Sequence, residues 1–216
     1  MAEGEVSGYR EVDIDGWNRR SAFGFFREFE DPFFNMTAPV DVTRLKELSG
    51  EKGYSFAIAA LYCSQMALNG IDEFRMRFVE GSLLIFDLVE ATQTILLEDG
   101  SFGFCYFPWR EDLSEFNSLG KKQAEKYKDI ATFDVENGRY DLVYYSVIPW
   151  ISFTSFKHAS RSDNTRTIPR IVFGKTYEDG ASVKMPVSVE VNHAVMDGLH
   201  VGKYFERLQA ALDGAA

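Results

Sequence analysis

The chain has 216 residues, 45% hydrophobic and 15% aromatic, enough to bury a sizeable core as one domain spanning 1–216. Its 33 acidic and 23 basic residues leave a formal charge of −10, which opposes binding to nucleic acid or anionic membranes, and no run of Lys and Arg supplies a local exception. No stretch approaches the roughly 18 apolar residues of a membrane span, residues 1–5 carry no basic or apolar leader, and Cys63 and Cys105 offer neither a disulfide framework nor metal-ligand spacing, so a cytoplasmic protein with two buried thiols and no metal site is expected.

In chain order, residues 10–14 suggest a short strand, and residues 17–26 a helix with Trp17, Ala22, Phe25 and Phe26 as its apolar positions. Asp41 or Thr43 caps a helix through Leu48, closed by Ser49-Gly50. The run 56–69 repeats apolar residues at Ile58, Leu61, Tyr62 and Met66 and stops at Gly70, a candidate left-handed cap. Residues 74–79 and 83–88 flank Glu80-Gly81 as a hairpin, and further strands are expected near 92–97 and 101–107. A charged helix over about 112–128 then precedes a second strand-rich half beginning near Tyr140.

The strand over 181–193 is the most informative. Val183, Met185, Val187, Val189 and Val191 share one face, and Lys184, Pro186, Ser188, Glu190 and Asn192 share the other. His193 has the parity of the apolar face and precedes an Asp197-Gly198 turn into a helix over about 199–212, with Leu199, Val201, Phe205, Leu208 and Leu212 expected inward. Periodicity alone leaves a hydrogen-bonded structural histidine and a catalytic base both open, and capping alone accounts for Asp197.

His193-Ala194-Val195-Met196-Asp197-Gly198-Leu199-His200-Val201 resembles the His-Ala-Val-Cys-Asp-Gly-Phe-His-Val signature of chloramphenicol acetyltransferases. The run from Tyr145 to Phe156, containing Ser146, Pro149-Trp150 and Ser152-Phe153-Thr154-Ser155-Phe156, resembles a second family segment, and the 47 positions from Ser146 to His193 equal the family's interval. Trp17-Asn18-Arg19-Arg20 and Asp72-Glu73-Phe74-Arg75-Met76 extend the resemblance over nearly the whole chain.

The resemblance implies an α/β two-layer sandwich with a mixed, largely antiparallel sheet flanked by helices, assembled as a homotrimer with active sites at subunit interfaces. It implies acetyl transfer from acetyl-CoA to a hydroxyl of chloramphenicol, with His193 as general base, Ser146 as oxyanion donor and an Asp197–Arg19 pair holding the site. Gly174, Lys175 and Ser55 map to the coenzyme region, and Phe26, Phe34, Phe102, Phe156, His158 and Arg170 to the acceptor pocket.

Three departures stand out. Asn192 replaces the first histidine of a His-His pair, Val172 replaces a threonine, and Ser55 replaces a lysine. His158 and Arg170 stand where aliphatic residues are usual, and an unpaired buried cation beside an apolar ligand is costly. Either these side chains reach solvent or a carboxylate, or the acceptor is a more polar small alcohol. An inactive trimeric binding homologue is the alternative from another class. The wider His-x-x-x-Asp-Gly pattern also occurs in dihydrolipoyl acyltransferases, but no lipoyl segment or Ala/Pro-rich linker is found ahead of it.

Overall fold

The computed structural model describes residues 8–128, 130, 139–159 and 167–214; the terminus at 1–5, expected to carry no leader, lies outside them. Two sheets organise the chain. The larger runs β2 (Phe33–Asp41), β10 (Ser182–Asn192), β8 (Arg170–Gly174), β7 (Leu142–Ile148), β5 (Glu90–Leu96), β6 (Phe102–Phe107), and β9 (Tyr177–Asp179) pairs the start of β10. The β5–β7 and β7–β8 ladders are parallel and the rest antiparallel, so the sheet is mixed and largely antiparallel. The smaller sheet joins β1 (Tyr9–Glu11), β4 (Ser82–Phe86) and β3 (Met76–Val79). Glu80 and Gly81, both at positive φ, close the β3–β4 hairpin as the sequence suggests.

Apolar periodicity decides which face of the large sheet carries the core. Met185, Val187, Val189 and Val191 of β10 pack with Ile171 and Phe173 of β8 and Tyr145 of β7 beneath α3 (Phe56–Asn69) and α5 (Gly198–Gly214). The opposite face is polar but also buried: Ser188, Glu190, Asn192 and Thr92 are almost without solvent contact. Strict alternation on β10 therefore does not mean that one face meets water.

Several element ends differ from the sequence expectation. Helix α1 spans Arg20–Phe26 and buries Phe23, against Phe78 of β3, while Phe25 is exposed. Helix α2 continues through Thr43–Lys52 to Gly53, whose φ of 67° makes it the left-handed cap in place of Ser49-Gly50. Helix α3 ends at Gly70 with φ −83°, so that glycine is no left-handed cap, and Met66 points outward. A 3-10 turn, Asp72–Arg75, takes Phe74 out of the hairpin. Leu199, expected inward, is exposed, whereas Val201, Leu208 and Leu212 are buried. Helix α4 (Leu113–Tyr127) starts where expected, with Asp112 accepting the Glu115 N–H at 2.9 Å.

Buried Arg77 ties the two sheets together. Its guanidinium donates to the carbonyls of Phe74, Met76, Tyr140 and Leu142 at 2.7–2.9 Å, linking β3 to the entry of β7. Burial pulls its pKa down to about 9, which still leaves it charged at neutral pH. Cys63 and Cys105 are buried free thiols, as expected, each pushed up to about 12 by burial.

Candidate active site

His193 lies one step beyond β10, where its N–H donates to the Pro32 carbonyl at 2.7 Å and prolongs the β10–β2 ladder. The imidazole stacks on Phe26, 3.9 Å between centroids and 7° between planes, with Phe34 on its flank at 4.8 Å. Nδ1 is 3.0 Å from the Met196 carbonyl oxygen. A carbonyl can only accept, so Nδ1 carries the hydrogen and Nε2 holds the lone pair. The turn beneath is built by Asn192, which accepts the Ala194 N–H at its side chain and the Val195 and Met196 N–H groups at its carbonyl. Asn192, expected only to face away, thus shapes the loop that aims the histidine.

Arg19 forms an ion pair with Asp197 and reaches the His193 carbonyl at 3.3 Å. Partial burial raises the Asp197 pKa, but the charges of His200 and Arg19 outweigh it and hold the carboxyl below the usual range. Sequence reasoning left His200 without a role. Its Nδ1 is 2.9 Å from Asp197 Oδ1 and its Nε2 3.4 Å from Glu73 Oε1, so it clasps Asp197 to the 3-10 turn.

Ser146 sits on the other side of the sheet. In register it faces Val172, which faces Ser188, which faces Thr37, and residues directly opposite in a ladder share a face. Thr94 donates to Ser146 Oγ at 3.3 Å, which leaves the serine hydrogen free to point elsewhere. The next row on this face holds Arg170 and Glu190, joined at 2.7 Å, with the Arg170 guanidinium 4.8 Å over Phe33. The cation at 170 has therefore found a carboxylate. Glu190 also accepts the His158 N–H at 3.3 Å, and Phe156 packs edge-on to the His158 ring at 4.8 Å.

The expected site residues thus fall into two groups. Phe26 and Phe34 gather round His193 on the core side of the sheet, since Phe34 faces Val191 and packs on the core. Phe156, His158 and Arg170 lie on the Ser146 side, where Phe102, on the outer strand β6 and paired with Leu96, is exposed. A seven-stranded sheet separates the two groups within one chain.

The family model for chloramphenicol acetyltransferase matches residues 7–209. The chain belongs to the chloramphenicol acetyltransferase family. A chloramphenicol acetyltransferase of Proteus mirabilis is 30% identical over 203 residues, covering 94% of each chain. Chloramphenicol acetyltransferase 3 of Escherichia coli is 30% identical over 203 residues, 93% of this chain and 95% of its own. A solved chloramphenicol acetyltransferase superposes with a TM-score of 0.88 at 25% identity, covering 95% of this chain and all of the other. A dihydrolipoamide acetyltransferase of Azotobacter vinelandii shares the fold, with a TM-score of 0.66 at 16% identity.

The positions this family member was expected to use for the coenzyme converge in part. A cavity of about 330 Å³ is lined by Phe56, Ala57 and Ala60 of α3, Val147 and Pro149 after Ser146, and Gly174, Lys175 and Met185 among others. Gly174 has a packing reason of its own: a Cβ there would lie 2.5 Å from the Pro186 ring and 2.9 Å from that of Phe153. Ser55 does not line this cavity, and its backbone N–H and carbonyl are both taken by the Asn117 side chain. Val172, at the family's threonine position, is fully buried beside Ser146. No helix among the described residues is long and apolar enough to cross a membrane, and no group of three or more His, Cys, Asp or Glu among them is placed to hold a metal.

Proposed function

We propose that the protein moves an acetyl group from acetyl-CoA to a hydroxyl of chloramphenicol, at sites shared between copies of the chain in a homotrimer. The observation that carries the chemistry is the bare Nε2 of a His193 ring fixed by Phe26 and the Met196 carbonyl. That lone pair takes the proton of the acceptor hydroxyl as its oxygen adds to the thioester carbon, a general-base step worth roughly 10²–10⁴-fold. The free hydrogen of Ser146 donates to the oxygen on which negative charge develops, and the Nε2 proton then goes to the leaving sulfur. Asp197, Arg19 and His200 hold the loop and relay no proton.

Acetyl-CoA fits the residues present. The cavity at the start of α3 is mainly apolar and suits the pantetheine arm, and exposed Lys175 at its edge suits a phosphate; when bound, the coenzyme supplies the acetyl thioester. Sharing between copies is supported by the separation of His193 from Ser146 across one sheet. Exposed Leu96, Phe102, Trp150 and Ile151, around the end of the Ser146 face, are further support, because apolar groups left bare on a monomer mark contact surface.

The test is thiol release by the purified protein. Release from acetyl-CoA that depends on added chloramphenicol is the expected result, and a flat trace removes that acceptor. The Arg170–Glu190 pair and His158 favour a second acceptor class, small alcohols with further polar groups.

A further inference from the structure

Among the described residues, the face that carries Ser146 holds two buried polar atoms without a partner, Thr92 Oγ1 within the sheet and His158 Nε2 at its edge. His158 Nε2 is shielded from solvent and makes no hydrogen bond with any described residue. Such an atom forfeits a hydrogen bond that water would otherwise supply, at a cost that native structures rarely bear without a use. The ring is not loose. Its backbone N–H is held by Glu190, whose other oxygen is held by Arg170, and Phe156 packs against it edge-on. Lys157 adds an ion pair to Asp31 at 3.0 Å, fastening the same segment to the entry of β2.

The ladder places this assembly relative to the reaction. Tyr144, Arg170 and Glu190 form the row next to Ser146, Val172 and Ser188 on the same face. Two residues along a strand separate the rows by about 7 Å. The charges of Arg170 and Glu190 cancel within the pair, and burial of the imidazole favours its neutral form, lowering its pKa. A carboxylate or ammonium on the acceptor would therefore lose its hydration here without gaining a counter-charge.

We infer that His158 is a specificity-determining residue of the acceptor site, its Nε2 hydrogen-bonding a second, neutral polar group of the alcohol beside the Arg170–Glu190 pair. The inference rests on the acceptor lying against the Ser146 face, as proposed above. It selects alcohols with a distal hydroxyl or amide over those with a methyl or a carboxylate in the same place.

Three ligands of one size make the test: 1,4-benzenedimethanol, 4-methylbenzyl alcohol and 4-(hydroxymethyl)benzoate. Calorimetric binding to the assembled full-length protein, with coenzyme A present, compares them without requiring turnover. The diol is expected to bind roughly tenfold more tightly than the methyl compound, the worth of about one hydrogen bond. His158→Leu abolishes that preference. His158→Gln, whose amide nitrogen reaches near the Nε2 position, retains much of it, whereas His158→Asn does not. The inference is overturned by equal binding of diol and methyl compound to the unaltered protein, by an unchanged preference in the Leu or Asn variant, or by tightest binding of the benzoate. Thiol release with the same alcohols is read in parallel. A His158-dependent preference with no thiol release from these alcohols or from chloramphenicol sinks acetyl transfer and leaves this inference standing; turnover without the preference does the reverse.

Discussion

At His193 a carbonyl, two phenyl rings and a backbone ladder bond fix one tautomer and one orientation, which is the preorganisation a general base requires. Replacing His193 with Ala should lower kcat by roughly 10²–10⁴-fold, and Ser146→Ala by roughly 10²–10³-fold, both read by thiol release with thermal unfolding unchanged. Asp197 belongs to stability as well. Its carboxyl is held below the usual carboxylate range, so the Asp197–Arg19 pair stabilises the fold above that range, and the contribution disappears as pH falls through the depressed value. Thermal unfolding from about pH 6 to pH 3 should show Asp197→Asn below the unaltered protein at the upper end and the two curves converging at the lower. Parallel curves at all pH values would remove the ionic role.

Among the elements, β10 does most to position the site. Its apolar edge builds the core, its polar edge carries Glu190 and Asn192, and its end delivers His193. The strand after Ser146 works with it through Gly174, where Phe153 and the Pro186 ring occupy the space of a side chain. Gly174→Ala should destabilise the protein by about 1–3 kcal/mol, as inserting a methyl into a filled core does, and denaturant unfolding measures it. The same substitution at Gly24, where a Cβ would meet nothing, is the control for glycine replacement itself. Most elements are legible in sequence because their period is. Helix ends are less so: the extension of α2 to Gly53 and the ordinary φ of Gly70 depend on how the next segment departs, which local residue preference does not encode.

For the whole molecule, the placement of His193 and Ser146 on opposite sides of one sheet makes a definite prediction about assemblies. A 1:1 mixture of His193→Ala and Ser146→Ala chains, unfolded and reassembled together, should recover about a quarter of full activity. Each variant alone stays nearly inactive, because sites that take the histidine from one copy and the serine from another are rebuilt by random mixing. Recovery no greater than the sum of the two variants would place both groups in one chain.

From the sequence came the α/β class, the spacing of Ser146, His193 and Asp197 and the family resemblance, since period, signature and interval are properties of a linear string; the mixed sheet and the Arg19 partner of Asp197 are implied by that resemblance. Tertiary structure alone decided that His200 bridges Asp197 and Glu73, that Thr94 leaves the Ser146 hydrogen free, and that Arg170 finds Glu190 and places His158. It also decided on which side of the sheet Ser146, Arg170 and His158 lie. Apart from His200 and Asp197, which share one helical turn, those partners stand 20 to well over 100 residues apart in the chain, and strand order and register, which no local pattern specifies, bring them together.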